Sequence, residues 1–196
     1  MQQLIHGLVR AFTLALCLAG ADCGRATQAD MTDITGVMPP LSLSMLRAND
    51  GKAVTAASYS GKITLLYFGY THCPDECPTT LANLAVALKR LGAGARDVRV
   101  LFVTVDPVRD TLPVLKTYVN TFAPEIDGLR GSDNAIAALA RRYRVIYAVT
   151  PAAPGRDYEV MHANSLFLFD KSGRARLVTM TTQDTAAIAA EIKSIS

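Results

Sequence analysis

The sequence predicts an α/β domain, and three observations carry that expectation. Two apolar runs rich in β-branched and aromatic residues, ITLLYFGY (63–70) and VRVLFVTV (98–105), read as strands buried on both faces, as in a parallel sheet. Between and after them lie segments with apolar residues at helical spacing. Hairpin signals stand near each end of this core, at Asn49-Asp50-Gly51 and at Lys171-Ser172-Gly173.

Each element follows in chain order. Residues 41–54 alternate and turn at 49–51, which predicts an N-terminal β-hairpin. The strand at 63–70 comes next. Leu81, Leu84, Leu88 and Leu91 then form one helix face that ends at Gly92. The second strand, 98–105, leads to a helix over 112–122. Thr111 is its expected N-cap and Pro113 lies in its first turn. Ile136, Leu139, Ala140 and Tyr143 predict a further helix near 133–143, and VIYAV (145–149) a third strand. SLFLFD (165–170) and ARLVTM (175–180) form the second hairpin, and a closing helix covers roughly 184–194. Strand, helix, strand, further helix, hairpin, helix is the thioredoxin order. The N-terminal hairpin and the helical insertion near 133–143 are additions to it. Loops at the carboxyl ends of the first two core strands, 70–77 and 106–111, are the expected place for function.

With 196 residues, half of them apolar, the chain suffices for one well-packed domain. The formal net charge is +3 and the basic residues are scattered, which argues against a nucleic-acid partner. Residues 1–21 carry one full charge, Arg10, then an apolar run that ends in Ala19-Gly20-Ala21. That is the pattern of a cleavable export signal, and the run is shorter than the ~20 residues of a comfortable membrane span. Export, to the periplasm in a bacterium, places the protein where cysteines pair. Residues 22–40 are polar, end in Pro39-Pro40 and read as a linker, leaving 41–196 as the folded domain. Cys17 falls within the signal. Cys23 leaves open a lipid tether to the outer face of the inner membrane, although Asp22 precedes it where a small residue is expected.

After the signal the chain retains Cys23, Cys73, Cys77, His72 and His162 as soft or nitrogen ligands. Cys73 and Cys77, in THCPDECPTT (71–80), stand four residues apart at a strand-to-helix junction. Their thiols converge at a helix N-terminus, whose partial positive charge favours thiolates. Two adjacent thiolates repel, and a proton, a disulfide or a soft metal ion relieves this. His162 precedes a strand expected beside the cysteine loop, so it is the preferred imidazole. His72 is the second choice and otherwise stiffens the loop. Two thiolates and an imidazole suit copper, Cu(I) above all; zinc prefers a fourth ligand, which Asp75, Glu76 or water would have to supply. Cu(II) would want a further oxygen or nitrogen. In Asp106-Pro107-Val108-Arg109-Asp110-Thr111, either Asp106 or Arg109 orients the cysteine loop, or the segment is a turn with Asp110 or Thr111 as helix cap. Met161 and Met180 are expected in core packing.

YFGYTHCPDECPTTL (67–81), VTVDPVRDT (103–111) and the segment from His162 to Asp170 together resemble the Sco/SenC family. The likeness covers roughly residues 38–180. It implies a thioredoxin-like fold in an exported, often membrane-tethered protein. It further implies copper bound by Cys73, Cys77 and His162, taken from a copper donor protein and delivered to the CuA-bearing subunit of cytochrome c oxidase. Such a metallochaperone need not be an enzyme. Some members also resemble thiol reductases that keep the receiving cysteines reduced, so a thiol–disulfide oxidoreductase using Cys73 and Cys77 is the alternative. Thioredoxins resemble one another in a proline before the strand that faces the redox pair. The matching segment here, VMHANS (160–165), has histidine instead.

Overall fold

The computed structural model describes residues 30–152 and 157–196. The predicted export signal, Cys17 and Cys23 lie outside the described residues. In chain order the strands are β1 (Met31–Asp33), β2 (Ser44–Arg47), β3 (Ala53–Thr55), β4 (Ile63–Gly69), β5 (Val98–Thr104), β6 (Ile126–Arg130), β7 (Tyr147–Thr150), β8 (Glu159–His162), β9 (Leu166–Phe169) and β10 (Ala175–Thr179). The helices are α1 (Glu76–Leu91), α2 (Leu112–Asn120), α3 (Asp133–Arg142) and α4 (Thr185–Ser194).

Among the described residues, eight strands form one sheet in the order β1-β10-β9-β4-β5-β6-β2-β3. The central strands β4, β5 and β6 are parallel, and β9 runs antiparallel to β4. All seven residues of β4 are buried, so both faces of the sheet are covered. Its apolar run carries no alternation for that reason. On α1, Leu81, Leu84 and Leu88 are buried, and Cys77 extends the same stripe to the first turn. Helix α1 stops at Gly92, whose φ of 57° lies in the region that glycine tolerates best.

Four expectations need correction. The linker reading of 22–40 fails at its end: β1 pairs with β10, Met31 opposite Thr179, and Ile34 is buried. A polar composition hid an edge strand that needs few apolar residues. The third core strand is IDGLR (126–130), not VIYAV. Its Asp, Gly and Arg broke the apolar pattern, yet β6 is held on β5 and its first four residues are buried. The VIYAV segment instead begins β7, which pairs with β8 in a separate two-stranded sheet. Met161 and Met180 are exposed rather than core residues, at 68% and 57%. Thr111 is the N-cap residue of α2, but neither it nor Asp110 caps through a side chain.

Strand directions bring three segments to one end of the sheet. Gly69 and Thr104 are partners at the carboxyl ends of β4 and β5, and Val105 N–H donates to the Gly69 carbonyl at 2.8 Å. The cysteine loop therefore runs beside the Asp106–Thr111 loop. Tyr67 on β4 pairs with Leu166 at the start of β9, so the chain entering β9 from His162 reaches the same end.

Candidate metal centre

The Sγ atoms of Cys73 and Cys77 and a ring nitrogen of His162 all lie within 4.8 Å of one another. An ion bonded at roughly 2.0–2.3 Å to each donor fits among atoms this close with small side-chain adjustments. Among the described residues, Asp75 and Glu76 do not join this group. Asp75 accepts from Thr79 and Glu76 from Asn164.

Each donor is held differently. Cys77 sits in the first turn of α1 and is completely buried. Gly69 makes room for it: a Cβ there would stand 2.7 Å from Cys77 Sγ and 2.6 Å from Phe102 Cε2. Cys73 lies in the loop before α1 and is partly exposed. The Cys77 backbone N–H, free at the helix start, donates to Cys73 Sγ at 3.4 Å. His162 ends β8, and its Nε2 stands 3.2 Å from Cys77 Sγ. Its Nδ1 lies 3.2 Å from the Ala163 carbonyl. A carbonyl only accepts, so Nδ1 carries the proton and Nε2 presents its lone pair to the thiols. Tyr67 and Tyr70 both meet the His162 ring edge-on, at centroid distances of 6.0 and 5.9 Å.

The electrostatics favour one readily formed thiolate. The Cys77 thiol beside Cys73 pulls the Cys73 thiol down to about 4, aided by backbone N–H groups and His162 and opposed by burial. The same contact, with burial, pushes Cys77 far up. One proton is thus shared until something replaces it, and a soft cation bound by both sulfurs removes the conflict.

The remaining predicted residues fall nearby but do not enter the cluster. His72 is exposed, with Nδ1 3.1 Å from Thr71 Oγ1 and 3.9 Å from Asp110 Oδ1. Asp106 is buried, accepts from Arg109 and takes the Tyr158 hydroxyl at 2.7 Å. The Arg109 guanidinium stacks over the Tyr158 ring at 3.9 Å and reaches Asp157 at 3.3 Å. These two residues therefore tie their loop to the segment entering β8, the histidine side. The Arg109 guanidinium also stands 5.8 Å from the centroid of the Tyr70 ring, at the start of the cysteine loop that the sequence expects Asp106 or Arg109 to orient. Asp110, expected as a helix cap, and Asn164, to which the sequence assigns no role, reach the cysteine side. Asp110 binds Thr71, and Asn164 links Tyr67 (2.7 Å) to Glu76 (3.0 Å). The acid in DPVRDT was legible as polar, but its direction was not.

Fold and site together define a thioredoxin-like domain in which a cysteine pair at a helix start faces an imidazole. A family model for SCO1/SenC matches residues 45–196. The chain belongs to the SCO1/SenC family. A Bos taurus relative, "Protein SCO2 homolog, mitochondrial", is 42% identical over 125 residues, 63% of this chain and 47% of that one. The chain spans about half the length of that curated relative. Among solved structures, Bradyrhizobium japonicum ScoI with copper bound is 37% identical with a TM-score of 0.72, over 80% of this chain and 99% of that one. BsSco, described as having a disulfide switch and as a member of the Sco family of cytochrome c oxidase assembly proteins, is 25% identical with a TM-score of 0.60, over 81% of this chain and 96% of that one.

Proposed function

We propose that this chain binds Cu(I) through Cys73, Cys77 and His162 and helps assemble the CuA centre of cytochrome c oxidase. The observation that carries the reading is the convergence of two sulfurs and one lone-pair nitrogen within 4.8 Å. Soft donors in a three-coordinate set favour Cu(I) over zinc, which prefers four ligands. Copper is cargo here: it arrives from a donor protein and leaves to the oxidase subunit that bears CuA. Export by residues 1–21 to the periplasm, with or without a tether at Cys23, would place the chain on the side where that centre is built. Among the described residues no helix is long and apolar enough to cross a membrane. Asp106, Arg109 and His72 act around the ligands rather than as ligands.

Metal analysis of reduced protein tests this. One Cu(I) per chain is expected. Cys73→Ser, Cys77→Ser and His162→Ala should each weaken Cu(I) by more than about tenfold while the fold survives. Undiminished affinity in His162→Ala would remove the imidazole from the set.

A second reading is favoured by the unequal exposure of the thiols. Cys73 is accessible and Cys77 buried, the arrangement of an attacking and a resolving thiol. The chain would then reduce target cysteines, with or without copper. Fast turnover of a disulfide substrate, unaffected by metal, would favour it.

A further inference from the structure

We propose that Asp110 is a positioning residue that locks the cysteine loop, and so sets where Cys73 stands relative to Cys77. This rests on the reading of Cys73, Cys77 and His162 as the copper-holding set.

Two of the three donors sit on regular elements: Cys77 on α1 and His162 at the end of β8. Cys73 alone stands on a connector, the residues 70–75 between β4 and α1. A connector of this kind keeps its shape only if something outside it fixes its backbone, since each loose residue retains conformational entropy that the fold must overcome. Asp110 supplies the tie from a neighbouring loop. Its side chain is fully buried. Oδ1 accepts from Thr71 Oγ1 at 2.6 Å, and Oδ2 accepts from Thr71 N–H at 3.0 Å and from Thr104 Oγ1 at 2.6 Å. A carboxylate removed from water is costly unless its oxygens are satisfied, and three donors satisfy these.

The donors come from both strand ends. Thr104 closes β5 and Thr71 lies two residues before Cys73. The carboxylate therefore clamps the connector onto the end of β5, in addition to the Val105–Gly69 backbone bond. The Thr71 hydroxyl spends its proton on Asp110, so its oxygen is left to accept from His72 Nδ1, 3.1 Å away. His72 is thereby held outward, away from the metal cluster. None of this serves α2, whose first turn receives no side-chain cap.

Releasing the clamp lowers the effective concentration of Cys73 at Cys77, with two consequences. Cu(I) leaves faster, and the Cys73–Cys77 disulfide becomes easier to reduce. The test compares wild type, Asp110→Asn, Thr71→Val and the double variant. Thr71→Val keeps the side-chain volume, removes one donor and leaves the buried carboxylate in place, so it reports even if Asp110→Asn fails to fold. Three measurements are made: Cu(I) competition against bicinchoninate, the dithiol–disulfide potential of copper-free protein, and thermal melting. Each single variant should weaken Cu(I) about tenfold and raise the potential by up to about 30 mV, the equivalent of tenfold. The double variant should be no worse than Asp110→Asn, because both break one tie. Thr71→Val with wild-type Cu(I) affinity and wild-type potential would overturn the proposal, as would fully additive losses. The potential needs no copper. If wild type binds no Cu(I), the functional reading falls while the clamp is still judged.

Discussion

Cys73 and Cys77 are the same residue type four positions apart, yet the fold makes them opposites. Cys77 is buried in the core with its sulfur close to Gly69, and Cys73 stands partly in solvent before the helix start. The sequence left this contrast open, because Cys73 and Cys77 both continue the spacing of Leu81, Leu84 and Leu88; the structure decides it by starting α1 at Glu76, after Cys73. The need for Gly69 was not legible, because its cause is a sulfur eight residues on and a phenyl ring from another strand. Gly69→Ala should force Cys77 or Phe102 to move. Overpacking of this kind costs about 1–3 kcal/mol. Chemical denaturation should show that loss, and Cu(I) competition should show weaker binding, because the displaced atom is a ligand. A variant as stable and as tight as wild type would contradict the close packing.

At the scale of elements, strong periodicity was read correctly and weak periodicity was not. The helix at 76–91 and the strands at 63–69 and 98–104 follow from uninterrupted apolar patterns. β6 escaped because Asp127 and Gly128 interrupt its pattern. Asp127 is nevertheless buried, and the Tyr59 hydroxyl reaches it at 3.0 Å. β1 escaped because an edge strand of three residues has little pattern to show. Its presence brings residues 31–34 into the folded unit. A chain beginning at Leu41 should be less stable than one beginning at Asp30. Burial of Ile34 alone accounts for about 1.5–3 kcal/mol, and the edge of β10 would lose its partner. Urea midpoints of the two chains check this, and equal midpoints would show that β1 contributes nothing.

At the scale of the molecule, the site exists only where separate segments meet. Cys77 and His162 are 85 residues apart and stand 3.2 Å apart. An ion bound only by the native state stabilises that state by mass action. Cu(I) at a free concentration of 100 times its dissociation constant should add about 2.7 kcal/mol to stability. For a domain of this size that corresponds to roughly 5–11 °C in melting temperature. The gain should vanish in Cys77→Ser and His162→Ala, and an equal gain in those variants would place the ion elsewhere. What the sequence by itself determined was the chemistry on offer: two thiols at a helix start, a late histidine, and a strand–helix order that sends them to one end of a sheet. Local periodicity and ligand softness carry that information, because both are properties of residues and their spacing. Tertiary structure alone decided the rest. It turned Asp110 toward Thr71 instead of a helix cap, Asp106 and Arg109 toward Tyr158, and Met161 and Met180 toward solvent. The direction of a polar side chain depends on which donors the neighbouring loop presents, and those donors come from segments that meet only in the folded chain.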